Sequence, residues 1–572
     1  MIRACRFALI ALLLAASPAA QAQRGALTEV PPVQAVTAQN GMVVAQEARA
    51  ARIGADILER GGNAVDAAVA VGFALAVTYP RAGNIGGGGF MLIHLAARNE
   101  QVAIDYRETA PAATTSQTFL DATGEADPRR SRDLGPAIGV PGTVAGLALA
   151  HGKYGSGRFT LADLLKPAIE LARNGVPVDA DLADSLPQAV PRFARWPSSA
   201  KIFLKGSSAA LGEGDTLVQR DLAATLSAIA RRGPRAFYRG PVAEKIAASV
   251  RTAGGRMTLA DLKNYRAVER PVVRGTYRGH DIVSMPPPSS GGVLLIEMLN
   301  MLEGFELRAG DPTTLHLMIE TMKRVYADRA YFLGDSDFVR VPVAGLISKR
   351  YAASLRDGID AHRARAARDI AIGQPVAFEG ANTTHFSIVD RFGNAVANTY
   401  TLNQSYGVGL VAEGTGVLLN NELDDFAAKP GAPNLLGLVG FEQANAPGPR
   451  KRPLSSMTPT IVFKDGKPLL VAGAPGGSRI ITAVLQVVLN VIDHRMSLAD
   501  AVSAPRIHHQ WLPDEVVVER GVTAAAVQAL EARGHRVTVR PPMTAVNAIV
   551  IAPTGLVGAA DTRTRGALAV GH

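Results

Sequence analysis

The sequence predicts an α+β fold in which sheet packs on sheet inside layers of helix. Three observations carry this. The first half reads as helices. The pattern switches to short apolar strands at Thr384. Those strands are then interrupted by a single long apolar helical segment. The 572 residues are 47% apolar and 19% charged, which suits a large buried core rather than a disordered chain.

The elements follow in chain order. Arg3 and Arg6, the apolar run Phe7–Ala16 and the small-x-small triplet Ala20-Gln21-Ala22 read as a secretory signal peptide over 1–22, with the mature chain starting at Gln23. The run is about half of a ~20-residue span, too short for an anchor. Cys5 is the only cysteine and lies in this leader, so the mature chain has no thiol for a disulfide, a metal or a nucleophile. A cysteine-free exported chain suits the periplasm or the medium. Net charge is +10, of which the leader supplies two, and the basic residues are dispersed as on a solvated surface.

Residues 45–60 carry helical spacing that stops at Gly61-Gly62. Asn63 reads as the N-cap of an Ala/Val-rich buried helix ending before Pro80. The glycine run Gly86–Gly89 precedes two strands, Phe90–Leu95 and Val102–Tyr106. Residues 160–350 read as mostly helical. The clearest helix has Asp311 as N-cap, Pro312 in its first turn, and a stripe of Leu315, Met318, Ile319, Met322, Val325 and Tyr326. Met285 to Gly292 reads as a loop, and 356–382 as a partly exposed connector. Strands are expected at Phe386–Ile388, Val396, Val417–Leu419, Ile461–Phe463, Leu469–Ala472, Val516–Val518 and Ala548–Ile551, with a helix at Ile480–Ile492.

Familiar catalytic motifs are missing. There is no phosphate-binding GxxxxGK[ST], no GxGxxG, no HExxH and no GxSxG. His508 and His509 are adjacent, so their side chains diverge, and an ordinary structural role is favoured over metal binding. Asn382-Thr383-Thr384-His385 stands where the connector meets the first strand. The turn signal Asp390-Arg391-Phe392-Gly393-Asn394 is centred on Phe392, which sets Thr401 opposite Thr383. By itself this is an ordinary Thr-rich hairpin.

The wider pattern gives it meaning. Thr383–Ser387, Asn420–Phe426, Gly62–Ala68, Gly86–Gly89, Asp105–Glu108, Pro453–Met457 and Pro475–Ser478 resemble, in family order and across nearly the whole mature chain, the γ-glutamyltransferase family. The resemblance implies a four-layer αββα sandwich of the N-terminal-nucleophile hydrolase type. It also implies a precursor that cuts itself between Asn382 and Thr383 into a large subunit (23–382) and a small subunit (383–572) sharing one core. Thr383 would be the nucleophile, Thr401 would orient it, and the N–H groups of Gly476 and Gly477 would form the oxyanion hole. Arg107, Ser455 and Ser456 would take the substrate α-carboxylate. Asn403, Glu422 and Asp425 would take the α-ammonium. Donors would be glutathione and related γ-glutamyl amides, and acceptors water, amino acids or peptides. No cofactor, metal, nucleic acid or membrane is implied.

One departure concerns the loop Pro430–Gly448, which resembles a substrate-covering lid. Where many members carry a tyrosine bonded to the asparagine matching Asn403, this chain has Leu436. Leucine cannot hydrogen-bond, so a looser lid and a larger share of hydrolysis are expected. The nearest alternative is a glutaryl- or cephalosporin-acylase-like enzyme of the same superfamily. A more distant one is a periplasmic amino-acid-binding protein that stays uncut.

Overall fold

The structure, a computed structural model, describes residues 30–206, 208–370, 383–441 and 443–572. The expected signal peptide and Asn382 lie outside the described residues.

Two seven-stranded sheets stack face to face. The first runs, in spatial order, Leu568–Gly571, Met42–Ala45, Thr383–Val389, Ala395–Thr401, Gly88–Leu95, Glu100–Asp105 and Val268–Arg270. The second runs Val36–Ala38, Gly555–Ala559, Asn547–Ala552, Lys467–Gly473, Thr460–Lys464, His280–Ser284 and Val273–Tyr277. Neighbours in both are antiparallel. Strands Thr383–Val389 and Ala395–Thr401 lie across Lys467–Gly473 and Asn547–Ala552. Successive side chains therefore enter different cores, as strand geometry requires. Val44, Leu92 and Ala397 point between the sheets with Val471 and Ile549. Val43, Ile93 and Ile388 point to the helices outside.

Helix Ala64–Thr78 covers the outer face of the first sheet. All its residues are buried, and Asn63 and Asp66 form a reciprocal cap at its start. Tyr400 reaches from the sheet and donates to Gly72 O at 2.9 Å. Helices Gly291–Leu302 and Arg479–Ile492 cover the second sheet. Helix Pro312–Phe332, capped by Asp311 as expected, packs behind them. The layers are thus helix, sheet, sheet, helix, and each sheet takes strands from both sides of Thr383.

Some expectations need correction. The 160–350 region is not only helical, because Val268–Arg270, Val273–Tyr277 and His280–Ser284 are strands. Val268–Arg270 and Val273–Tyr277 are the edge strands of the two sheets, where apolar alternation is weak, and His280–Ser284 stands next to the second of them with only Ile282 and Val283 as apolar residues. Val36–Ala38, Met42–Ala45 and Leu568–Gly571 were not anticipated either, since stretches of three or four residues show no period. Val516–Glu519 is a strand as expected, but it joins a separate three-stranded sheet. Val417–Leu418 pairs with Val411–Ala412 in a separate two-stranded sheet.

Candidate active site

The hairpin that carries the first hydroxyl is fixed at its far end. Asp390 Oδ1 accepts from the N–H groups of Phe392 and Asn394, and Oδ2 accepts from Ala64 N at 2.9 Å. With the turn pinned, the register runs Val389 opposite Ala395 back to Thr383 opposite Thr401, the pairing read from the sequence. The two hydroxyls lie 3.4 Å apart, and Thr401 Oγ1 accepts from Asn403 N at 2.9 Å.

The glycine run explains how Thr401 is held. A Cβ at Gly86 would stand 2.1 Å from Leu418 O, and one at Gly87 would stand 2.1 Å from Thr401 O. The run therefore lets backbones touch rather than cradling a phosphate. Asn84 closes the arrangement by donating to Thr401 O and accepting from Gly87 N, both at 2.8 Å.

Thr383, Thr401, Asn403, Arg107, Glu422, Asp425, Ser455, Ser456, Gly477 and Leu436 line one cavity, together with Met457 and Ile480. It holds about 250 Å³ free of atoms, almost none of it wide enough for water. Gly476 is not in this lining. It precedes Gly477 at the start of helix Arg479–Ile492, and both glycines sit at positive φ, +122° and +59°. A side chain would be strained at either, so the turn that brings backbone to the cavity is built for glycine.

Opposite the hydroxyls stands a charged cluster. Arg107 is fully buried. Its Nη1 pairs with Glu422, its Nη2 donates to Asp425 Oδ2 at 2.6 Å, and its Nε donates to Pro453 O at 3.1 Å. Burial works against the guanidinium charge, yet Glu422, Asp425 and Glu108 outweigh it and hold the group above its usual range. Burial also pushes Glu422 well above the carboxylate range against the pull of Arg107. Glu108, 3.9 Å from Arg107, is pushed up to about 7, again by burial against Arg107. The residues expected to hold a carboxylate and those expected to hold an ammonium therefore hold each other in this structure. A zwitterion can replace that pairing group for group, whereas a lone carboxylate would take Arg107 and leave two buried acids uncompensated.

His385 lies two residues from Thr383 but serves the core. Its Nδ1 bonds Thr399 Oγ1 at 2.8 Å, its Nε2 bonds Ser387 Oγ at 3.0 Å, and burial pushes it down to about 3. It stays neutral and does not reach the cavity lining. His508, also near 3 through burial, bonds Thr482 Oγ1. Among the described residues, His316, Glu320 and His535 form a cluster with metal-like spacing. Glu320 there is already bound by Lys323 and Arg324, and His316 bonds His535 at 2.7 Å, so a metal would add a further positive charge to two resident ones.

The lid expectation changes in its details. Asn403 Nδ2 donates to Asn421 O at 3.1 Å rather than to the lid. The loop is tied instead by Leu435 N to Asp424 at 2.6 Å, Asn434 Nδ2 to Asp425 at 3.2 Å, and Gln510 Nε2 to Leu436 O at 3.1 Å. Two of these use backbone, so Leu436 forfeits one tether without leaving the loop loose. Glu108, Asn434 and Gln510 were not singled out from the sequence. Glu108 stood inside a motif that was recognised, while the other two carry no local signal.

The model of the family described as gamma-glutamyltranspeptidase matches residues 50–571. The chain belongs to that family. It is 49% identical over 541 residues to the glutathione hydrolase proenzyme of Escherichia coli (strain K12), covering 94% of this chain and 93% of that one. A solved cephalosporin acylase from Bacillus halodurans superposes with a TM-score of 0.82 at 28% identity, covering 94% of this chain and 97% of the other. A Helicobacter pylori gamma-glutamyltranspeptidase structure is 48% identical, with a TM-score of 0.53, covering 54% of this chain and 89% of that one. Membership makes this a self-processing γ-glutamyl-transferring enzyme and agrees with the αββα layers described above.

Proposed function

We propose that the chain is exported, cuts itself between Asn382 and Thr383, and then uses Thr383 to take γ-glutamyl groups from glutathione and related amides. In processing, Thr383 Oγ attacks the Asn382 carbonyl and the C–N bond breaks. The resulting ester is then opened by water, with the proton ending on the freed amine. The new α-amine has an ordinary pKa of about 7.7–8.0, so it can accept the Thr383 hydroxyl proton near neutrality. As an amide it could not, so cleavage turns the base on. Residues 23–382 and 383–572 would then form a heterodimer. Thr401 orients Thr383, and Gly476 and Gly477 supply donors to the oxyanion. Arg107, Ser455 and Ser456 receive the α-carboxylate, and Asn403, Glu422 and Asp425 the α-ammonium. The acyl group then passes to water or to an amino-acid or peptide amine. No cofactor is required. Among the described residues, no helix is long and apolar enough to cross a membrane.

The observation that carries this reading is one small cavity with paired hydroxyls at one end and a ready-made zwitterion complement at the other. The overall likeness to a cephalosporin acylase keeps the acylase alternative in view. A glutaryl group has no ammonium for Glu422 and Asp425, so γ-glutamyl-p-nitroanilide should be cleaved far faster than glutaryl-p-nitroanilide. On a denaturing gel the purified protein should give bands of roughly 38 and 20 kDa by residue count, the smaller starting at Thr383. Thr383→Ala should run as one inactive band. An intact wild-type chain that is active would refute the mechanism.

A further inference from the structure

Arg329 lies on helix Pro312–Phe332 and is only 5% exposed. Its Nε donates to Ser290 Oγ at 3.0 Å and its Nη2 to Ser456 Oγ at 3.2 Å. No carboxylate lies in ion-pair range of it among the described residues. Burial pushes its pKa down to about 10 while Asp425 opposes, so it stays charged at neutral pH. Burying a guanidinium with only hydroxyls as its hydrogen-bond partners is costly.

The direction of its bonds matters. A guanidinium only donates, so Ser456 Oγ must accept from it, and the serine hydrogen has to point elsewhere. Ser455 is set in the same way, because its Oγ accepts from Met457 N at 3.1 Å. Ser290 Oγ accepts from Arg329 and passes its own hydrogen to Ser455 O at 2.7 Å. Arg329 thus holds the Ser456 hydroxyl directly and reaches the Ser455 carbonyl through Ser290, both in the segment that lines the cavity. Meanwhile the charge of Arg107 is already taken up by Glu422 and Asp425.

We propose that Arg329 is a positioning residue for the donor: it turns the Ser456 O–H toward the cavity to meet the α-carboxylate and places a second positive charge behind it. The inference rests on the reading that this cavity holds the γ-glutamyl group.

The test uses the processed enzyme with γ-glutamyl-p-nitroanilide, comparing Arg329→Gln, Arg329→Lys, Ser456→Ala and the double variants. Arg329→Gln is expected to raise KM about 10- to 50-fold with kcat within about threefold, a loss of the size seen for charge-assisted hydrogen bonds. Arg329→Lys, which keeps a charge and a donor, should recover most of it. Residues acting through one another are non-additive, so Ser456→Ala should absorb the effect, leaving the Arg329→Gln/Ser456→Ala enzyme no worse than about twofold beyond the poorer single variant. Multiplying KM effects, or an unchanged KM in Arg329→Gln, would overturn the proposal. If Arg329→Gln does not mature, the Arg329→Lys and Ser456→Ala pair supplies the same cycle with a smaller expected KM rise. Arg107→Ala run alongside separates the two readings. A raised KM there with none at Arg329 refutes only the positioning role, while no rise in either refutes the site.

Discussion

The two ends of the cavity are built on opposite principles. The Thr383–Thr401 end holds two hydroxyls, and the nearest imidazole, His385, is kept neutral by burial and turned into the core. The Arg107 end packs a guanidinium among Glu108, Glu422 and Asp425 with Arg329 behind. In the proposed mechanism the hydroxyl end, which has no ionised base in its lining among the described residues, draws its base from the amine that cleavage would free. The recognition end is charged before any ligand arrives. In this division, damage at the charged end should appear in KM, and damage at the hydroxyl end in kcat.

The largest break is expected at Arg107. Its removal leaves Glu422 and Asp425 without their paired cation, a defect of about 3–5 kcal/mol, so Arg107→Ala should lose on the order of 100- to 4000-fold in kcat/KM, mainly through KM. Arg107→Lys should recover part of this, because it keeps charge but not the fork. A wild-type KM in Arg107→Ala would undo the division. Next comes Thr401→Val, which keeps shape and removes the hydroxyl beside the nucleophile. Losing one hydrogen bond, about 0.5–1.5 kcal/mol, should lower kcat by about two- to tenfold at nearly constant KM. A change confined to KM would assign Thr401 to recognition instead.

The subtlest effect concerns Glu108. Its carboxyl is pushed up to about 7 from an ordinary 4.5. An incoming ammonium favours the ionised form, so donor KM should fall as pH rises through about 7, and Glu108→Gln should flatten that slope. Stability runs the other way. The folded chain keeps this proton up to about pH 7, while the unfolded chain releases it near 4.5, so the folded state binds more protons in that window. The share of stability contributed by Glu108 therefore declines as pH rises from about 4.5 to 7. Glu108→Gln should remove this share of the decline in Tm, and an unaltered slope in both measurements would show that Glu108 does not titrate there.

The sequence disclosed unequal amounts of these two ends. The hydroxyl pairing was legible from a turn signal, because hairpin register is local arithmetic once Asp390–Asn394 is recognised as the turn. The long buried helices were legible from caps and periodicity. Arg107, Glu422 and Asp425 were marked only by resemblance to a family, since their partners are more than 300 residues apart in the chain. That Arg107 is paired with the two acids in this structure could not be read from either source. Arg329 was hidden for another reason. It continues the apolar stripe of Pro312–Phe332 one turn past Val325, where a charged residue reads as the end of the buried face, yet the face stays covered there by the segment around Ser455.

The interleaving of strands has a consequence for refolding. Met42–Ala45 pairs with Thr383–Val389 on one side and Leu568–Gly571 on the other, and His280–Ser284 pairs with Thr460–Lys464. Before the cut, these pairings close within one chain, and a denatured precursor can search for them by loop closure. After it, the same pairings require two chains to meet, so recovery becomes dilution-dependent and competes with aggregation of exposed strands. Maturation would then act as a ratchet, leaving an enzyme whose persistence is set by how slowly it unfolds.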